Sequence, residues 1–193
     1  SFPVDTPMPS LQGHLLIASP HLGDPNFSRT VVLMVQHEDE GALGLVLNRP
    51  SGKLIRDVWE EVTGNPSEID DPIYIGGPLE GPLMAVHTLR DSAETEIVPG
   101  LWFATHRDHI NEVVDRGGDK HPFRLFSGYS GWGEGQLDGE MEAGGWLTVP
   151  AAAEFVFAPD DDVLWQRVTR RVGSDILKAD KHIKGLPEDP SLN

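Results

Sequence analysis

The chain has 193 residues, 15 Lys and Arg against 31 Asp and Glu for a formal charge of −16, and no cysteine. One domain of that length buries roughly 70% of its unfolded surface without a covalent staple, and the missing thiols exclude disulfides, thiolate metal sites and a cysteine nucleophile. So large an excess of carboxylates repels a polyanion unless the cations gather on one face, so direct nucleic-acid binding is not expected.

Residues 1–11 carry three prolines and read as an irregular lead-in. They show neither the basic n-region nor the continuous apolar run of a secretory signal. No stretch nears the ~18 apolar residues of a membrane span. The sequence therefore predicts a cytoplasmic protein with no membrane association. His14–Ala18 is a short apolar run closed by Ser19 and Pro20, a strand. Turn formers fill 21–26, residues 27–36 supply a β-branched strand, 37–41 a polar turn, and 42–47 a third strand. The short polar loop makes the last two a hairpin, and their near-continuous hydrophobicity says that both faces are covered.

Asn48-Arg49-Pro50 breaks the strand. Ser51 reads as the N-cap of a helix in which Leu54, Ile55, Val58, Trp59 and Val62 recur at helical spacing, ending near Gly64. Strands are expected at Pro72–Ile75, which runs into Gly76-Gly77-Pro78, at 83–89 and at Leu101–Ala104. Ile110, Val113 and Val114 share one side of a helix stopped by Gly117 and Gly118, and 123–126 is a strand leading into a glycine-rich loop. Gln136–Glu142 reads as helix and 146–149 as extended. Val163, Leu164, Val168 and Val172 trace the apolar side of a last helix. Asp160, Asp161 and Asp162 open it and Arg167, Arg170 and Arg171 close it, the order that complements the helix dipole. From Gly173 onward the chain is a polar, weakly patterned tail. Strands arrive in groups without regular alternation with helices, so the fold class is α+β, one domain over residues 1–193.

The glycine-rich loop, with Gly128, Gly131, Gly133 and Gly135 around Tyr129 and Trp132, marks a tight turn or a close backbone approach. Its spacing does not match the dinucleotide fingerprint, no Lys-Ser or Lys-Thr follows, and Glu134 would repel an anion, so a structural turn is favoured over a phosphate cradle. Ser130 sits as in a nucleophile elbow until the fifth position, where Trp132 replaces glycine. His106 and His109, three apart, could share a helix face as metal ligands with His87 or His121, but surface polarity explains them as well, and no metal or cofactor is expected. Glu60, Glu61, Glu140 and Glu142 read as solvated helix faces. Asn48, Arg49, Gly76 and Gly77 stand at strand ends that feed irregular backbone, a common setting for binding, and Arg49 offers a planar cation.

Five blocks, Gly13 to Pro20, Phe27 to Val32, Gly44 to Pro50, Gly76 to Pro78 and Gly128 to Leu137, together closely resemble the YqgE/AlgH family of bacterial proteins. The resemblance implies a bifurcated β-sheet folded into a pseudo-barrel with flanking helices. Family members are described as uncharacterised proteins or as candidate transcriptional regulators, with no agreed catalytic set to carry over, so the catalytic residues are unknown. Ser130 stands where the family usually has a small residue such as alanine, and Glu134 where it often has proline.

Two functions are weighed. The leading one is a regulatory or interaction protein that binds a protein partner or small ligand and acts on transcription at most indirectly. The other is an enzyme or small-ligand sensor with a pocket built from segments 48–50, 76–78 and 128–135. Asn48, Arg49, Gly76, Gly77, Tyr129, Trp132 and Gly133 are its ligand-binding candidates. A third reading has these glycines only closing the barrel.

Overall fold

The computed structural model describes residues 9–19, 24–159 and 161–184, with residues 26 and 174–184 as backbone alone. Most of the lead-in, the turn formers at 20–23, Asp160 and the tail beyond Lys184 lie outside them. Side-chain alternation sets the architecture. In β1 (His14–Ala18), β2 (Val31–Glu38) and β3 (Gly41–Val46), Leu15, Ile17, Leu33, Val35 and Leu45 face one core cluster, while Leu16, Ala18, Val32, Met34 and Val46 face another. Both faces are thus buried, which is why these strands read as unbroken apolar runs. They pair antiparallel, with Leu16 opposite Val32 and Leu33 opposite Leu45.

A second sheet is built from β4 (Pro50–Leu54), β5 (Pro72–Ile75), β6 (Met84–His87), β7 (Thr95–Val98), β8 (Leu101–Ala104) and β9 (Phe123–Ser127). Its order is β4-β5-β9-β6-β8-β7, antiparallel except between β5 and β9. With β10 (Ser130–Trp132) and β11 (Trp146–Pro150), the first sheet has the order β10-β3-β2-β1-β11. The chain crosses between sheets twice, from β3 to β4 and from β9 to β10. At the fork the sheets are stitched by Val46 N–H to Gly76 O at 2.8 Å. The bifurcated, curled sheet expected of the fold is therefore two packed sheets that share a seam, and the described strands close no barrel.

Helices cover the remaining faces. Residues of α1 (Ile55–Thr63) and α2 (Arg107–Arg116), namely Ile55, Trp59, Ile110, Val113 and Val114, pack on the outer side of the second sheet against Ala85 and Leu125. Leu137 of α3 (Gln136–Glu142) packs under Trp132 and Trp146. Phe155 and Val156 of the short α4 (Ala153–Val156) join Leu164, Val168 and Val172 of α5 (Asp161–Lys184) in the cluster between the sheets.

Three expectations need correction. Ser51 is no N-cap: Pro50–Leu54 is strand β4, paired only through β5 with Pro50 opposite Tyr74, and the helix begins after Leu54. Proline is tolerated there because an edge position needs no ladder donor. The stretch after Gly173 is helical as far as Lys184, so Arg167, Arg170 and Arg171 stand in the middle of α5 and cannot complement its C-terminal dipole. Instead the guanidinium groups of Arg167 and Arg171 lie 5.8 and 5.7 Å from the Phe155 ring centre, and Arg171 pairs with Glu154 at 3.3 Å. Strands β7 and β10 and helix α4 were not expected.

Candidate functional site

The seam between the sheets gathers most of the residues singled out for binding. Ile75 N–H donates to Arg49 O at 2.8 Å and Gly76 N–H to Ser127 O at 3.1 Å. Leu79 and Tyr129 exchange two backbone bonds of 3.0 Å. A Cβ on Gly77 would overlap the backbone of Tyr129 and Ser130, and one on Gly76 the carbonyl of Gly128, while Gly128 itself adopts φ +80°. Glycine is required here because two backbones touch. Asn48 Oδ1 accepts from Val31 N–H at 3.1 Å and its amide donates to Arg29 O at 3.0 Å, so its polar groups hold the β2–β3 end together. Arg49 donates to Ser28 O at 3.4 Å.

Segments 48–50, 76–78 and 128–130 therefore meet backbone to backbone. The opening beside them is a hollow of about 400 Å³ lined by Ile75, Gly77, Pro78, Leu79, Gly81 and Gly128 among others, with Ile75 and Leu79 each 44% exposed. Trp132 points elsewhere. It stacks on Phe27 with ring centres 6.0 Å apart, meets Trp146 edge-on, and donates its indole N–H to Glu140 Oε2 at 3.0 Å. Burial pushes the Glu140 carboxyl up, so this acid does not belong to the solvated face expected of it. Gly133 N–H donates to Gln136 Oε1 at 3.0 Å at the start of α3. Ser130 is fully buried and its hydroxyl donates to Gly76 O at 3.1 Å, the position of a structural serine.

His106 and His109 converge on Glu94, with His106 Nε2 3.5 Å from Oε1 and His109 Nδ1 2.9 Å from Oε2. The same carboxylate accepts from Thr105 and His106 N–H groups ahead of α2, and although partial burial opposes it, these bonds hold Glu94 below its usual range. It neutralises the positive end of that helix. Behind it His87 is fully buried. Its Nδ1 accepts from Leu89 N–H at 3.0 Å, and burial pulls its pKa down to about 4.

A different cavity holds the most unusual electrostatics. Arg124 interrupts the apolar strand β9, facing the same side as Phe126 while Phe123 and Leu125 pack under α1 and α2. It is 8% exposed, donating to Leu47 O at 3.0 Å and Ala158 O at 2.9 Å, with its guanidinium 4.1 Å from the Tyr74 ring centre. Tyr74 O–H reaches both Asp161 carboxylate oxygens at 3.0 Å, and its pKa is pushed up to about 12, chiefly by burial. Burial pulls Arg124 down, yet a guanidinium remains cationic at any physiological pH. These groups line a cavity of about 550 Å³ with Asp71, Asp119 and Phe157. Sequence reasoning passed over it, although a charged residue inside Phe123-Arg-Leu-Phe126 was the signal available.

Two stacked sheets with helices outside and a glycine seam at their fork define an α+β domain of one recognisable class. The AlgH-like family model matches residues 15–177, and the chain belongs to that family. A UPF0301 protein of Chlorobaculum tepidum is 37% identical, with 94% of this chain and 95% of the relative covered. One of Streptomyces coelicolor is 36% identical, covering 97% and 98%. The solution structure of the AlgH protein from Pseudomonas aeruginosa superposes with a TM-score of 0.68 at 33% identity, over 87% of this chain and 92% of that one. A crystal structure of a Corynebacterium diphtheriae protein matches equally well in TM-score, 0.68, at 26% identity over 87% and 90%. No helix among the described residues is long and apolar enough to cross a membrane.

Proposed function

We propose that the protein is a cytoplasmic regulatory or interaction protein that works by binding a protein partner or small ligand, with any influence on transcription indirect. The observation that carries this is the placement of its cations. Arg56 pairs with Asp70 at 2.9 Å, Arg116 with Asp91 and Glu112, and Arg171 with Glu154, while Arg124 is buried. The densest group of arginines, on α5, is partly engaged with Phe155 and Glu154. A protein of charge −16 in which these arginines are paired with carboxylates or buried is poorly suited to meet phosphates. The hollow beside the seam, with exposed Ile75 and Leu79 at its edge, supplies an apolar foothold for a partner.

A salt-titrated mobility-shift assay on random and genomic DNA tests the reading, with no complex expected at physiological ionic strength. Tight binding that weakens steeply with salt and vanishes on replacing Arg167, Arg170 and Arg171 by Gln would overturn it. The second reading, a ligand sensor or enzyme at the seam, rests on the same hollow. It requires saturable small-molecule binding that Leu79→Asp abolishes.

A further inference from the structure

Independently of how the seam functions, we propose that the cavity between Arg124 and Tyr74 binds a small zwitterion of the α-amino-acid type. The cavity holds opposite charges at fixed places. Arg124 is a permanent cation set by two backbone carbonyls and the Tyr74 ring, and among the described residues no carboxylate is in ion-pair contact with it. Two of its five N–H donors are committed to those carbonyls. A guanidinium with donors to spare, lining a cavity, is the group best shaped to receive a carboxylate.

The mouth carries the other sign, with Asp71 and Asp119 exposed and Asp161 half-buried. A simple anion would meet these acids before it reached Arg124, and a simple cation would be held by the acids but leave the spare donors of the guanidinium without a partner. A molecule bearing both charges a few bonds apart satisfies both, its carboxylate on Arg124 and its ammonium toward Asp71 and Asp161. Phe157, Pro122 and Pro159 provide apolar wall for a side chain. The volume of about 550 Å³ is that of a small-molecule site.

Calorimetric titration of the full chain with each proteinogenic L-amino acid at millimolar concentration tests the proposal. At least one is expected to bind saturably with one site per chain. Its des-amino acid and its decarboxylated amine, which keep the same side chain, should each bind at least about tenfold more weakly. Asp71→Asn and Asp161→Asn, checked for native circular dichroism, should weaken the amino acid and leave the des-amino acid unweakened. Arg124→Gln disturbs the bonds to Leu47 O and Ala158 O along with the charge, so deletion of the ligand carboxylate reads that contact on the intact protein. The proposal is overturned if no amino acid binds, if removing either ligand charge changes nothing, or if binding is indifferent to both aspartate substitutions.

Discussion

A methyl group on Gly77 has nowhere to go except into the Tyr129 carbonyl, whereas one on Gly139, inside α3, meets nothing within 4 Å. Gly77→Ala is therefore expected to cost about 1–3 kcal/mol or more through overpacking, and Gly139→Ala to gain roughly 0.5–1 kcal/mol from helix propensity. Urea unfolding of the two variants checks both signs. The same close contact explains what could be read in advance. The glycines clustered around Tyr129 announced a tight approach, but the partner across the seam is Gly77, fifty-odd positions away in the chain, and no local pattern encodes that distance. Asn48 and Arg49 were legible as strand-end polar residues, while Arg124 was hidden because apolar neighbours made its strand look purely structural. His87 adds a pH dependence. Its folded pKa near 4 lies below the ordinary 6.5, so the folded state binds fewer protons, and its contribution is complete above pH 6.5 and lost as pH falls toward 4. Glu94, also held low, loses stability in the same acidic direction. The loss assigned to His87 is on the order of 2–3 kcal/mol. Unfolding free energies measured across that window should show a slope that His87→Asn flattens, and an unchanged slope in that variant would remove His87 as its source.

Elements were legible in proportion to how much of their pairing is written in their own side chains. Strands β1, β2, β3, β8 and β9 are dominated by apolar residues because both of their faces are largely covered, and they can be read directly as strands. Strand β4, with Pro50, Gly52 and Lys53, has no such pattern and exists because β5 offers it an edge. Helix α5 runs past Gly173 although an interior glycine costs about 1 kcal/mol, since Leu164, Val168 and Val172 already anchor the preceding turns in the core between the sheets. That anchoring is measurable. Leu164→Ala should destabilise by about 2–5 kcal/mol by leaving a cavity, while Val163→Ala, at a position 39% exposed, should stay within about 0.5 kcal/mol. Equal effects at the two positions would mean that α5 does not dock by the face described.

For the molecule as a whole, the charge was legible from composition, whereas its distribution depended on the fold. Exposed pairs such as Arg56 with Asp70 and Arg116 with Asp91 add little stability, and the remaining carboxylates repel one another across the whole surface. Long-range repulsion is screened beyond about 10 Å at 0.1 M salt, but short contacts are screened less. Repulsion should therefore dominate the salt response, and sodium chloride added from near zero to a few tenths molar should raise the unfolding free energy. Urea is the denaturant for this measurement, because guanidinium would screen the charges while unfolding the chain. A fall in stability with salt would mean that the local ion pairs outweigh the global field. It would also weaken the proposal that this protein does not bind nucleic acid directly, which depends on that field reaching a phosphate backbone before any arginine does.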